Sequence, residues 1–128
     1  MQVTSQVLYD GIRHCTMQFT GVGDGLGDEN NVTKVDVTTL NPPCVSVKIM
    51  KLTYDVGYGV VELLWDAPIP VPFLELTESG DPLNYKRIGG LVNGGGAGAT
   101  GNILFSTKGF ELNSTYSIVL EMVKKGKL

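Results

Sequence analysis

The sequence holds few of the residues that carry chemistry: one histidine, one tryptophan and two cysteines in 128 residues. With His14 alone, and no nucleophile signature around any serine, no Ser–His–Asp arrangement can be built. Glu62, Asp66, Glu75 and Glu78 are scattered acids that no sequence pattern converges on a cleft, so paired-carboxylate hydrolysis is not indicated. Cys15 and Cys44 belong to no CxxC pair, which excludes the usual zinc spacing. Both lie in strand-like segments, so buried free thiols are expected, and sequence leaves a disulfide open. A non-enzymatic protein without cofactor or metal is the expectation.

Charge is scarce as well. Asp, Glu, Lys and Arg make up 18% of the chain, and the net charge is −3. No Lys/Arg cluster interrupts the body, so nucleic acid is not an expected partner, since it demands several cations on one face. Lys124, Lys125 and Lys127 form a short basic tail that reads as a solvated end. Long apolar runs are missing, and Met1 to Tyr9 lacks the basic and apolar regions of a signal peptide. A soluble protein made in a cytoplasm, with no membrane partner, is expected. Asn31-Val32-Thr33 and Asn113-Ser114-Thr115 then read as chance glycosylation sequons.

Glycine is plentiful, at 17 residues, and hydrophobic residues reach 42%. A chain of this length buries roughly two thirds of its unfolded surface and needs no staple. The dominant period is two. Tyr116, Ile118, Leu120 and Met122 alternate with Thr115, Ser117, Val119, Glu121 and Val123, as in a strand with one buried face. Cys15, Met17 and Phe19 repeat the pattern, as do Val35 and Val37, and Val45, Val47 and Ile49. The apolar parity then switches near Met50 and Lys51, continuing through Leu52, Tyr54 and Val56, which suggests a bulge or a crossing between sheets. Val61, Leu63 and Trp65 share the buried face of the next strand. Asp55 to Gly59 reads as a hairpin connection, making the runs on either side the favoured antiparallel pair. Trp65 is expected in the core.

Pro68, Pro70 and Pro72 confine their segment to an edge crossover. Short strands are expected at Phe73 to Thr77, Leu83 to Ile88 and Ile103 to Thr107, with a turn at Ser79-Gly80-Asp81-Pro82. No amphipathic helix stands out. The fold class is all-β: a single-domain antiparallel β-sandwich, jelly-roll-like, over residues 1–128, with about eight strands and no substantial helix.

Two glycine-rich segments invite functional readings. Gly96-Ala97-Gly98-Ala99-Thr100-Gly101 spells GxGxxG, but Ile103 to Thr107 after it has a strand pattern, so no helix N-terminus awaits a phosphate. The segment reads as a flexible loop or as one that a neighbouring subunit covers. Gly21 to Asn30 carries Asp24, Asp28 and Glu29, whose spacing fits neither known calcium loop, so a solvated hairpin loop is favoured over a calcium site. His14 falls on the polar side of its strand and should be exposed. Residues 1–7 read either as a first strand or as an extended arm that adds to a neighbour's sheet. The candidate partner-binding residues are therefore Met1, Gln2, Val3, Thr4 and Ser5, with Asn93, Gly94, Gly95, Gly96 and Gly98.

Several stretches resemble a family of small virion proteins of tailed bacteriophages. They are Val3-Thr4-Ser5-Gln6-Val7-Leu8 with Asp10-Gly11 and Arg13, Gln18-Phe19-Thr20-Gly21, Leu64-Trp65-Asp66-Ala67, Gly89-Gly90-Leu91, and Val119-Leu120-Glu121-Met122-Val123-Lys124-Lys125. The resemblance spans nearly the whole chain and brings no catalytic residues. It implies a structural capsid decoration (cement) protein on the phage head surface. The implied partners are the major capsid protein and copies of the chain itself, for which a trimer would suit a threefold lattice position. A neck, tail or head-fibre component is the alternative within the virion. A carbohydrate- or calcium-binding attachment module using Asp24, Asp28 and Glu29 with Tyr54, Tyr58 and Trp65 is the alternative of another class.

Overall fold

The computed structural model describes residues 1–128. The strands are β1 (Gln2–Asp10), β2 (His14–Val22), β3 (Val32–Val35), β4 (Cys44–Val56), β5 (Val60–Trp65), β6 (Val71–Leu76), β7 (Leu83–Asn84), β8 (Ile103–Lys108) and β9 (Thr115–Lys127). Two single turns of 3₁₀ helix, Val37–Thr39 and Lys86–Ile88, are the only helical segments. All pairings are antiparallel, in one sheet ordered β1-β2-β9-β4-β7 and a second ordered β3-β8-β5-β6.

The pairs β5–β6, β4–β7, β3–β8 and β2–β9 nest inside one another and fall alternately into the two sheets. A long hairpin rolled on itself has this order, so the sandwich is a jelly roll, with β1 added outside β2. Strands β4 and β5 therefore do not pair, contrary to the hairpin expected from Asp55 to Gly59. Gly57 to Gly59 instead carries the chain from one sheet to the other. Gly59 has a φ of +106°, and a Cβ there would lie 2.7 Å from the Lys108 carbonyl oxygen, so the crossing calls for glycine.

The inner faces follow the period-two pattern. Cys15, Phe19, Val47, Ile49, Leu52, Ile118, Leu120 and Met122 from one sheet meet Val61, Leu63, Trp65, Ile103 and Phe105 from the other, all buried. Each large aliphatic or aromatic side chain so enclosed contributes roughly 1.5–3 kcal/mol. Phe19 meets Phe105 edge-on at 5.1 Å between centroids, and Trp65 stacks on Phe73 at 3.9 Å. The β4 parity switch is a bulge: the register with β9 shifts between Ile49 and Lys51. Val45, by contrast, is exposed at the strand's start.

The edges follow the proline and glycine punctuation. Pro72 lies in β6, an edge strand, at a register shift opposite Leu64. The expected strand over Leu83 to Ile88 shortens to Leu83–Asn84 before a 3₁₀ turn. Both cysteines are free and buried, and burial pushes the Cys15 thiol up to about 11, which keeps it protonated and unreactive.

Candidate partner-binding surface

The two groups of candidate residues sit at opposite ends of the sandwich. Gln2 pairs with Val22 and Asp10 with Cys15, so β1 begins at the end that holds the 23–31 loop. Trp65 pairs with Ile103 at the other end, and the glycine-rich loop leads into Ile103 there. At the rise of a strand, roughly 3.3 Å per residue, the ends lie about 25 Å apart. Met1 to Ser5 and Asn93 to Gly98 thus form no common surface.

Residues 2–10 are not a free arm. They form the outermost strand of the five-stranded sheet, paired with β2 from Gln2 to Asp10 with a register shift between Val7 and Tyr9. Removing Met1 to Ser5 would strip half a strand, not trim a tail. The Met1 amino group lies 2.8 Å from Asp24, and the far end is pinned by Asp10, which pairs with Lys124 and accepts the Asn41 N–H at 2.8 Å. Val3, Ser5 and Val7 face the same side as Phe19 and Met17 by register, yet all of Gln2–Tyr9 is exposed. The four-stranded sheet simply does not reach beneath β1. That weak burial is why the segment carries no packing pattern in the sequence.

The Asp10–Lys124 pair ties β1 to β9. The Lys124 side chain is only 4% exposed. Burial raises the Asp10 pKa, but the Lys124 hydrogen bond, the Asn41 N–H and the Lys124 charge together outweigh it and hold the carboxyl below its usual value. A folded pKa below the unfolded one stabilises above the unfolded value and is lost as pH falls through the folded one. Asp10→Asn should cost about 1 kcal/mol at neutral pH, since solvent reaches the carboxylate end of the pair and screens it. Urea melts should show the gap to wild type closing below about pH 4; a gap that persists at lower pH would contradict this account.

The glycine-rich loop is anchored rather than free. Gly95 backs onto Trp65, Gly98 onto Pro68 and Gly101 onto the Val45 carbonyl, and the Gly95 N–H donates to Asn93 at 2.8 Å. Thr100 N–H donates to the Asp66 carbonyl at 3.0 Å, and the Thr100 hydroxyl to the Asp66 carboxylate at 2.8 Å. Gly96 alone has open space where a Cβ would go and a φ of +74°.

The acidic loop is a crossing between sheets, from β2 to β3, and not a solvated hairpin. Its three carboxylates go to three places. Asp24 meets the amino terminus, Asp28 accepts the N–H groups of Gly109 and Phe110 at 3.2 Å, and Glu29 is buried. No group of three or more acidic, histidine or cysteine side chains converges as a metal site. The aromatics proposed alongside them separate too: Trp65 is buried against Phe73, Tyr54 lies in the other sheet, and Tyr58 is exposed. His14 is exposed, as its parity predicts.

Glu29 forms the one ion pair buried on both sides, missed from sequence. Its carboxylate lies 2.6 Å from Lys34 Nζ and accepts the Tyr116 hydroxyl at 2.6 Å. Lys34 Nζ also lies 5.9 Å from the Phe105 ring centroid. Burial first, then the hydrogen bond to Glu29 and its charge, push the Tyr116 phenol far above its usual value, so it remains a donor. Each of these groups is spent on structure.

Val3, Val7, Leu8, Tyr9 and Ile12 are all exposed along β1 and the turn that follows it. Beside that turn, Ile12, Pro42, Pro43 and Leu128 line a cavity of about 410 Å³ together with Arg13 and Lys127. The chain matches no family model, no curated protein and no solved structure.

Proposed function

We propose that this chain is a structural, non-enzymatic protein of a tailed-phage particle, a capsid decoration protein that binds the outer head lattice through protein–protein contacts. The observation that carries the reading is the exposed apolar surface where β1 turns into β2, Leu8, Tyr9 and Ile12, beside the cavity lined by Ile12, Pro42, Pro43 and Leu128, on an otherwise well-formed jelly roll. Exposed apolar side chains grouped on a folded domain mark a macromolecular contact more often than ones scattered singly. Jelly rolls serve viral capsids among other tasks, and fold alone does not choose between them; the family resemblance of the sequence supports the virion. The calcium- and glycan-binding alternative has less support, because Asp24 is taken by the amino terminus, no three carboxylates converge, and Trp65 is buried against Phe73.

The test is copy number in purified particles by quantitative mass spectrometry against the major capsid protein. Near parity is expected for a lattice-bound decoration protein. A count at the level of neck, tail or fibre proteins would move the chain to those structures, and absence from particles would refute the virion role.

A further inference from the structure

A β-sandwich must protect its edges, and three of the four here are protected. Strand β7 has two residues, β3 has four with a register shift at Lys34, and β6 carries Pro72. Short strands, irregularities and proline are the usual devices that stop one sheet from adding to another. Strand β1 uses none of them over its first half. It runs nine residues without proline, lysine, arginine or glutamate, and its only charge, Asp10, is taken up by Lys124 at the far end. Gln2 to Val7 pairs regularly with β2 and leaves its other row of N–H and C=O groups unpaired within the chain.

We infer that β1 pairs with β1 of a second copy of this chain, antiparallel about a two-fold axis through Ser5, to make a continuous ten-stranded sheet. The register follows from symmetry. A two-fold that sets one strand antiparallel beside its copy stands perpendicular to the sheet, so opposed residues share a face. Only pairings whose residue numbers sum to an even value satisfy that condition. Centring on Ser5 sets Val3 against the partner's Val7 twice, on the inner side, where they are 42% and 50% exposed in the monomer. Thr4 then faces the partner's Gln6 on the outer side, a pair able to hydrogen-bond. A charge near the axis would meet itself across a two-fold, and Gln2 to Val7 carries none. The strand is thus complementary to itself, which favours a second copy over a foreign strand. Such a pairing uses up both edges and closes at two.

Light scattering behind size exclusion should give twice the chain mass of 13.7 kDa for wild type. Val3→Lys/Val7→Lys sets ammonium groups opposite each other and should halve the mass while leaving the circular dichroism spectrum nearly unchanged, since both positions are exposed in the monomer, and should remove any dependence of the melting temperature on protein concentration. Val3→Glu/Val7→Glu should do the same with carboxylates. Mixing the two variants should restore a dimer, because every introduced ammonium group then faces an introduced carboxylate of the other chain. A wild-type monomer, as expected if β1 takes a strand of another protein, overturns the inference. So does a trimer, a dimer indifferent to either charged variant, or failure of the mixture to reassociate. The inference does not rest on the virion role, which copy number tests separately.

Discussion

Glu29→Ala should lower folding stability by about 3–5 kcal/mol, the cost of stranding one member of a buried ion pair. The Lys34 and Glu29 side chains are 3% and 5% exposed, so the ammonium group left behind has no water to turn to. Tyr116 would lose the acceptor of its hydroxyl as well. The pair need not itself be a net source of stability, because desolvation offsets much of its attraction. Glu29→Leu/Lys34→Met/Tyr116→Phe removes every polar end at once and should recover most of the loss. Urea unfolding of the single and triple variants decides it. A single variant within about 1 kcal/mol of wild type would mean that water reaches the site and the pair behaves as a surface one.

This network also shows where sequence reading stops. Alternation placed the inner faces of β2, β5 and β9 correctly, down to Cys15, Met17 and Phe19, and the parity break at Met50 marked a real bulge. It failed for Lys34. Strict alternation beside Val35 puts Lys34 outside, but the register shift between Thr33 and Val35 lets both be buried. Glu29 sits in a loop of glycine, aspartate and asparagine that reads as solvated, and its phenol partner is 87 residues away. The β4–β5 connection failed for a different reason. Two strands with one buried face each alternate identically whether they lie side by side or face each other across the core. Only the nested long-range pairs, such as β2 with β9, settle which it is. Sequence marked residues 1–5 but not the exposed Leu8, Tyr9 and Ile12 beyond them, because those fall outside any alternation, and it could not show that the glycine-rich loop lies at the opposite end of the sandwich.

Gly101→Ala should destabilise by about 4 kcal/mol, as the sum of a strained backbone and an overpacked one. Gly101 is buried with a φ of +90°, a conformation that L residues rarely adopt. Its missing Cβ would press on the Val45 carbonyl oxygen and carbon, backbone atoms at the start of β4 that cannot swing aside as a side chain would. Gly96→Ala is the matched comparison. Its φ of +74° carries similar strain, but nothing lies within 4 Å, so only about 1 kcal/mol is expected. The difference between the two, read from chemical denaturation midpoints at constant slope, isolates the contact. Equal losses would mean that the loop is not held against Val45. A large loss at Gly101 alone fixes the loop to the sandwich end, leaving Gly96 at its tip as the glycine free to meet a partner.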